Sequence, residues 1–355
     1  MMKKTSIMAG LLTAIVLAVV GLAQADCQKN WKDCAGKPWV DGNNMETPLG
    51  STWWPHPQWG AGDEAGSTNW YTKAEVVMRG ISQIKTGKVY RLGQEYYANM
   101  PLFGERKFVL RIPSSPTGGP FGSNKLVYHD EFLATEIGQV GTQFDGLGHV
   151  GVQIGENGDT RAMRFYNGAT VAEMAGAYGL KKMGIEKLHP IVGRGVLIDI
   201  AGARGVEAMQ AGECAGMADV KNALKRQGME NFQFAAGDAI LFRTGWEMYW
   251  EDPAKYNAGQ PGICMDVARW VAEEVKAGVT GGDSWAGTDP VPYPDEPACA
   301  FCVHSYLQTR HGIVNQENLR LKQLVDDKVY VFAYIYSIVP IRGGTGSIGS
   351  PLAIK

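Results

Sequence analysis

The chain has 355 residues, of which 45% are hydrophobic, 20% charged and 10% aromatic, a balance typical of a globular protein and not of a disordered or fibrous one. Lys and Arg together number 34 against 36 Asp and Glu, which gives a formal charge of -2, and no basic tract occurs. The sequence has no cluster of basic residues that could bind a phosphate backbone, so no nucleic-acid partner is expected. The 46 glycines follow no fixed period, which predicts many tight turns.

The first residues have the order of a secretory signal. Lys3 and Lys4 precede an uncharged apolar stretch over residues 7–20, and the small-residue pattern Ala23-Gln24-Ala25 follows it. This stretch is shorter than the ~20 residues that span a bilayer. We therefore predict a signal peptide over residues 1–25, a periplasmic or secreted mature protein, and no membrane association after cleavage.

All six cysteines follow this segment, and an exported protein keeps disulfides. Six cysteines allow 15 pairings, among which Cys27 with Cys34 and Cys299 with Cys302 are the local options. The spacing of Cys299 and Cys302 is also that of a redox dithiol. Because this pair follows a proline-rich loop and does not open a helix after a strand, a structural bridge is the favoured interpretation.

Residues 26–70 are rich in Trp, Pro and Gly and are predicted to form an arm with little regular structure that wraps the body. The rest, residues 71–355, is predicted to be mixed α/β, either one large domain or two fused lobes, since no linker separates them. Helical periodicity or strand composition marks the following segments, in chain order: helix 72–84, strands 108–112 and 125–128, helix 171–178, strand 195–200, helix 218–227, strand 239–243, helix 265–276 and strand 329–339.

The densest polar cluster lies between residues 139 and 149. In an extended segment Gln139, Gln143, Asp145 and His149 would share one face, because side chains alternate with period two. Amide oxygen, carboxylate and imidazole are groups that hold a divalent ion. A glycine-rich hairpin with surface Gln and Asp and one hydrogen-bonded His is an equally good interpretation of the spacing.

Further along, His304 is followed by Glu317 thirteen residues later. The pair indicates a metal site only if the fold places it next to the first cluster, since the ligands of a metal site often come from distant segments of the chain. His311 beside it is expected at the surface, and His56, His129 and His189 are expected to have structural roles. Dinucleotide, nucleophile-elbow and H-E-x-x-H motifs are absent.

At this point the chain resembles the cyclase family of metal-dependent amidohydrolases, the group that contains bacterial kynurenine formamidase and isatin hydrolase, and its longer branch in particular. The family pattern His-x-Gly-Thr-His-x-Asp-x-x-x-His is matched at Gly141, Thr142, Asp145 and His149. Further matching blocks run through most of the mature chain: Trp59-Gly60 through Asp63, Gly66 and Asn69; Thr86 through Tyr90; Gly193 through Asp199; Gly237-Asp238 with Arg243 through Trp246; His304 with Glu317 through Leu319; and Pro340 through Pro351.

The sequence departs from the pattern where Gln139 and Gln143 replace two histidines. Amide oxygens should weaken a zinc site and shift preference toward manganese or magnesium, because oxygen ligands suit harder ions. The resemblance implies that Gln143, Asp145 and His304 hold the ion, with Glu317 as a further ligand or hydrogen-bonded to one. Gln139 is the least certain of these ligands. His149 is expected to take a proton from water and return it to the leaving amine.

The resemblance further implies the family's swivelling β/β/α fold, with mixed sheets and flanking helices, and a homodimer or higher homo-oligomer. The predicted function is an exported hydrolase that cleaves the carbon–nitrogen bond of a cyclic or formyl amide, using manganese, zinc or magnesium. Trp53, Trp59 and Trp285 are candidates to line the pocket of this small-molecule substrate.

Three alternatives stay open from the sequence. The same site could hydrolyse a lactone or ester. A binding protein could have kept the fold and lost catalysis, as the two replaced histidines suggest. An exported thiol oxidoreductase would depend on Cys302 and not on Asp145.

Overall fold

The computed structural model describes Lys32 and residues 45–155, 157–294 and 299–355. The predicted signal peptide, most of the predicted arm, Cys27 and Cys34 lie outside these residues. The boundary of the arm at residue 70 stays a prediction.

The described residues form nineteen strands and a set of short helices. The strands are β1 Glu46–Thr47, β2 Gly50–Ser51, β3 Val89–Arg91, β4 Phe108–Arg111, β5 Gly118–Phe121, β6 Leu126–Tyr128, β7 Phe132–Thr135, β8 Gln143–Asp145, β9 Val152–Gln153, β10 Met163–Arg164, β11 Ile191–Asp199, β12 Cys214–Ala215, β13 Ala239–Arg243, β14 Gly262–Ile263, β15 Val279–Gly282, β16 Val314–Glu317, β17 Val331–Tyr336, β18 Gly346–Ile348 and β19 Leu352–Ile354. The α-helices are α1 Ala74–Ile81, α2 Val171–Met174, α3 Ile200–Arg204, α4 Met217–Arg226, α5 Pro253–Asn257, α6 Met265–Arg269, α7 Cys302–His304 and α8 Lys322–Asp326. Short 3₁₀-helices span Gly66–Thr72, Tyr166–Gly168, Ile185–Lys187 and Trp246–Tyr249, and π-helical turns span Trp270–Val275 and Ser305–Arg310.

A nine-stranded mixed sheet organises the body, in the order β18-β8-β16-β15-β13-β11-β17-β19-β3. The four central strands β11, β13, β15 and β16 are parallel, and every other neighbour pair is antiparallel. Parallel strands need crossover connections. The connection from β15 to β16 contains α7 and the turn Ser305–Arg310, and it carries His304 back over the sheet.

Both faces of the central strands are buried, which explains their nearly continuous apolar sequence. Along β11 the side chains alternate, with Leu197 in one hydrophobic core and Val196 and Ile198 in another. Helix α1 packs with Val76 on the first face, while α4 and α6 cover the second. The predicted α/β class, with a mixed sheet and flanking helices, is confirmed.

Most predicted elements occur within a few residues of their expected bounds, but the cluster at residues 139–149 differs. Only β8 is extended there. Gly141 adopts a positive φ of 60°, where a side chain would also meet the ring of Tyr96, and the chain turns again at Gly146. Gln139 and His149 therefore do not belong to one strand face with Asp145.

Two disulfides link described cysteines, Cys214 with Cys264 and Cys299 with Cys302. The second is one of the two local options expected from the sequence. Among the described residues, no helix has the length and apolar character that crossing a bilayer requires.

Candidate metal centre and active site

Two neighbouring antiparallel strands build the base of the site. In the register of β8 and β16, Asp145 lies opposite Asn315 and Gln143 lies opposite Glu317. Opposed residues have their Cβ atoms ~5 Å apart, and residues two apart share a face. These four polar side chains therefore converge on one face of the sheet, while Phe144 between them is buried in the core on the other.

His304 completes the cluster from the crossover connection. Its Nε2 lies 3.3 Å from Oδ2 of Asp145 and 3.1 Å from Oε1 of Glu317. One ligand atom from each of these residues falls within 4.8 Å of the others, and all three residues are buried. Ligand atoms ~2.1 Å from one ion lie roughly 3 to 3.5 Å from each other, so the three groups can share a single cation.

Asp289 fixes the orientation of the His304 ring. Its carboxylate forms a hydrogen bond with Nδ1 of His304. It also accepts hydrogen bonds from the backbone N–H groups of Val303 and His304, both at 2.8 Å. Because the proton on Nδ1 is directed at Asp289, a neutral His304 ring has its lone pair on Nε2, which points at Asp145 and Glu317. A carboxylate behind an imidazole in this way is the usual support of a metal-binding histidine.

The electrostatics of the cluster require a positive charge at its centre. Burial opposes charge on His304, but the carboxylates of Asp289, Asp145 and Glu317 together raise its pKa well above the usual value. Burial and the neighbouring Asp145 raise the pKa of Glu317 to about 8. A lone pair and two carboxylates that face one point are stable only around a cation, either a proton or a metal ion. The buried groups therefore fit a divalent ion.

The side-chain amides surround the same point. Gln143 donates from Nε2 to Glu317 at 2.8 Å and to Asp145 at 3.3 Å, and a half-turn of its amide would present Oε1 there instead. Asn315 donates to Glu317 at 3.1 Å, and its own Oδ1 is buried without a hydrogen-bond partner. Gln139 lies one step further out, since its Oε1 accepts from Gln143 at 3.4 Å. The donor set is rich in oxygen, which suits manganese or magnesium better than zinc.

A cavity of about 400 Å³ opens onto the cluster. Its floor includes Gln143, His304 and Glu317, and its walls are aromatic. Phe103 and Trp285 stack with ring centres 4.3 Å apart, and Phe301 packs edge-on against Trp285. Arg106 supplies a guanidinium to the same wall. The cavity thus suits a small, planar molecule with a polar end.

His149 lines this cavity beside the cluster, half-buried after the turn that follows β8. Burial lowers its pKa, Asp145 acts in the opposite direction, and His304 and Arg106 lower it further. Among the described residues, no hydrogen bond joins its ring to another side chain. The imidazole is therefore neutral at pH 7 and positioned to accept a proton from a molecule in the cavity.

The structure brings together most of the residues that the sequence singled out. Asp145, Gln143, His304 and Glu317 meet, and Gln139, His149 and Trp285 lie beside them. The expectation of a surface hairpin is wrong, because Gln143 and Asp145 are buried. Asp289, Asn315 and Arg106 were missed. Only Asn315 left a signal in the sequence, since it precedes Glu317 by two residues and so shares its face of a strand.

Trp53 and Trp59 do not line the cavity beside the cluster. Trp53 is buried and donates from Nε1 to the carbonyl of Phe165, so it packs the described part of the arm onto the body. Trp59 stacks near His56 and lines a separate cavity. His311 also lines that cavity; it is half-buried and lies outside the cluster of Asp145, His304 and Glu317.

The histidines that were expected to be structural have no part in the cluster. His56 is buried and accepts at Nδ1 from the backbone N–H groups of Gln58 and Trp59, which confirms its structural role. His129 is exposed and His189 is half-buried.

A mixed sheet whose strands present buried carboxylates and amides to one cavity, with an imidazole added from a crossover connection, defines a class of α/β protein with a candidate metal centre. Residues 90–289, more than half of the chain, match the family model described as Cyclase, and this protein belongs to the Cyclase family. The resemblance seen in the sequence is confirmed.

Solved structures agree with this assignment. A crystal structure of a novel cyclase is 27% identical, with a TM-score of 0.71 over 86% of this chain and 100% of that chain. Isatin hydrolase A from Ralstonia solanacearum is 18% identical, with a TM-score of 0.53 over 76% of this chain and 92% of that one. An isatin hydrolase bound to the product analogue thioisatinate is 17% identical, with a TM-score of 0.51 over 78% and 94%. No curated protein sequence matches.

Proposed function

We propose that this protein is a metal-dependent hydrolase that cleaves the carbon–nitrogen bond of a cyclic or formyl amide. The observation that carries the proposal is the meeting of Asp145, His304 and Glu317 at the floor of an aromatic cavity. Membership in the Cyclase family and the similarity in fold to isatin hydrolases support it.

Asp145, His304 and Glu317 would hold the ion, with the amide oxygen of Gln143 as a fourth ligand. A divalent ion bound there supplies a water of lowered pKa and polarises a carbonyl. The oxygen-rich donors favour manganese, with zinc and magnesium as the other candidates. Asp289 and Asn315 keep the ligands in place through the hydrogen bonds described above.

His149 would act as the general base and acid. Its neutral ring accepts a proton from the attacking water and returns it to the nitrogen that leaves, so one group serves both halves of the reaction. Trp285, Phe103 and Phe301 exclude bulk water from the reacting atoms and hold the substrate by its ring. Arg106 can donate hydrogen bonds to an oxygen of the substrate.

The decisive experiment combines metal content with a substrate screen. Protein reconstituted with manganese should hold about one equivalent and hydrolyse a formyl-anilide, a cyclic imide or an isatin-like lactam, and a chelator should abolish this activity. Asp145→Asn and His304→Ala should lose both metal and activity. Hydrolysis of lactones or esters alone would replace the amide assignment with the esterase alternative, and a chain that stays metal-free after supplementation would favour a binding protein.

We also propose that the protein is exported to the periplasm or beyond. The charged, apolar and small-residue order of residues 1–25 supports this, as do the two disulfides, which persist in oxidising compartments. Amino-terminal sequencing of protein from the periplasmic fraction should begin at Asp26. Recovery of uncleaved protein from the cytoplasm would contradict the proposal.

A further inference from the structure

A second cavity, of about 490 Å³, lies apart from the active-site cavity, and the described residues that line the two have no member in common. Trp59 and Trp70 form an aromatic wall of the second cavity, and His311 lines it from the crossover connection. Glu273 belongs to the π-helical turn before β15, and Lys276 directly follows that turn. The volume is that of a small-molecule site, and no step of the proposed hydrolysis uses these residues.

The aromatic wall is a corner between two ring surfaces. The rings of Trp59 and Trp70 have centres 5.2 Å apart and stand at 80° to each other, and both side chains are half-buried. Nζ of Lys73 lies 4.2 Å from the centre of the Trp70 ring and 5.7 Å from that of Trp59. Lys73 thus already supplies the cation that tryptophan faces attract. The ring surface that Lys73 leaves open suits an uncharged aromatic ring, packed edge-on or offset.

The second cavity also contains a buried polar atom that lacks a partner. Nε2 of His311 is buried and forms no hydrogen bond with any described residue. Burial, followed by the charge of Arg310, lowers the pKa of His311 to about 4, so the ring is neutral at pH 7. A buried polar group without a partner is destabilising. A ligand with a polar group at this point would relieve that cost.

One acid and one base lie at the cavity without an ion-pair partner. Glu273 and Lys276 are both exposed, and neither forms a salt bridge with another residue that the structure describes. The carboxylate of Glu273 accepts a hydrogen bond from the hydroxyl of Tyr306, which fixes its position. Both charges are therefore available to a ligand that carries the opposite charges.

We propose that the second cavity binds an aromatic amino acid. Lys276 pairs with its carboxylate, Glu273 pairs with its ammonium group, and Trp59 and Trp70 hold its ring. His311 adds a hydrogen bond at Nε2. An aromatic acid alone would be repelled by Glu273, and an aromatic amine alone by Lys276, so the two charges together select the zwitterion. This site is proposed independently of the hydrolase function.

The test is the binding of L-phenylalanine to the full chain, measured by calorimetry. One equivalent should bind with a Kd of ~1 mM or lower, as expected for a ligand of this size. Phenylacetate lacks the ammonium group and phenethylamine lacks the carboxylate, and each should bind roughly 10-fold more weakly or worse, since each loses a charged hydrogen bond. L-alanine lacks the ring and should show no binding.

A lysine variant with a matched control locates the ligand. Lys276→Asn removes the ammonium group at a position whose φ of 56° Asn tolerates, and it should raise the Kd for L-phenylalanine about 10-fold or more. Lys328→Asn is the control, because Lys328 is exposed and has a φ of 55° but lies outside the residues that line the second cavity. This control should leave the Kd unchanged.

Two further variants test the acid and the aromatic wall. Glu273→Gln keeps an acceptor for the hydroxyl of Tyr306 and removes the negative charge. It should weaken the binding of L-phenylalanine about 10-fold and strengthen that of phenylacetate, a reversal that misfolding cannot produce. Trp59→Ala should abolish binding of both while the far-ultraviolet circular dichroism stays that of the wild type.

The active-site cavity is separated by its own variant. Arg106→Ala with Phe103→Ala changes two residues of that cavity and should leave the binding of L-phenylalanine unchanged. Treatment with a chelator should leave it unchanged as well. Failure of the hydrolase proposal would therefore not affect this one, and failure of this one would leave hydrolysis and metal content as they are.

Three results would overturn the proposal. The wild type could fail to bind L-phenylalanine even at ~10 mM, well above the expected Kd. Phenylacetate or phenethylamine could bind as tightly as L-phenylalanine, so that the two charges select no zwitterion. The double variant of Arg106 and Phe103 could lose binding while Lys276→Asn retains it, which would place the amino acid in the active-site cavity.

Discussion

Nε2 of His304 lies 3.3 Å from the carboxylate of Asp145, although 159 residues separate the two along the chain. Asp145 belongs to a strand and His304 to the crossover connection that returns over the sheet. Glu317, on the strand after that connection, reaches the same point. The hydrolase proposal depends on this meeting, since neither segment alone offers enough ligands for an ion.

The first prediction concerns Asp289, which orients His304. Asp289→Asn should weaken manganese affinity by about 10- to 100-fold, because loss of such a support leaves the ring free to turn. A manganese titration monitored by calorimetry measures this change in affinity. Asp199→Asn is the control, since it breaks a buried pair with Arg243 away from the cluster and should lower stability without changing metal affinity. Equal affinity in Asp289→Asn and the wild type would refute the role.

The second prediction concerns Glu317, a buried carboxyl that burial and Asp145 both disfavour in its charged form. In chelator-treated protein Glu317→Gln should raise the free energy of unfolding by about 1 kcal/mol, because the neutral amide removes the repulsion. It should also abolish stabilisation by manganese, which at 100 times the dissociation constant is ~2.7 kcal/mol in the wild type.

Thermal unfolding with and without the metal measures both effects of this change. A Glu317→Gln variant that manganese stabilises as much as the wild type would remove Glu317 from the ligands.

The third prediction separates binding from catalysis at His149. His149→Gln should retain about one equivalent of metal and lower kcat by 10²- to 10⁴-fold, the usual contribution of a positioned base. Steady-state kinetics and metal analysis of the same sample provide the two readings. Loss of metal in this variant would instead make His149 a ligand.

The fourth prediction is a pH dependence of stability that arises away from the cluster. Burial, followed by the charge of Arg310, lowers the pKa of His311 to about 4. The unfolded chain therefore binds a proton at higher pH than the folded chain. The contribution of His311 to stability is complete above pH ~6.5 and is lost as the pH falls toward 4, by up to about 3 kcal/mol.

Denaturant unfolding at several pH values tests this slope. The His311→Gln variant should lose less stability than the wild type between pH 6.5 and 4.5, whereas His129→Gln, at an exposed position, should follow the wild type. Parallel curves for His311→Gln and the wild type would contradict the prediction.

The fifth prediction decides between hydrolase and thiol oxidoreductase. The disulfide between Cys299 and Cys302 brackets Ala300 and Phe301, which line the cavity just before His304. Cys302→Ser should therefore raise KM several-fold and leave most of kcat, because it loosens a wall and removes no reacting group. Asp145→Asn should abolish turnover. The opposite pattern would favour redox chemistry.

The sequence by itself determined which functional groups are available to form a site, and much of the secondary structure. A buried strand such as β13 can be predicted from its continuous apolar sequence, since both faces of a central parallel strand are covered. The helix that begins at Met265 was evident from its periodicity. The motif around Asp145, together with His304 and Glu317, was sufficient to indicate the family. The order of residue types along a chain can be read without knowing the distances between their side chains in space.

Only the tertiary structure decided which groups share a point in space. The register of β8 against β16 pairs Asn315 with Asp145, and backbone hydrogen bonds between distant segments set that register. Asp289 reaches His304 through a loop whose course no local pattern specifies. Trp59 lines another cavity for the same reason: the sequence specifies which functional group each residue carries, while the fold of the whole chain decides what surrounds that group.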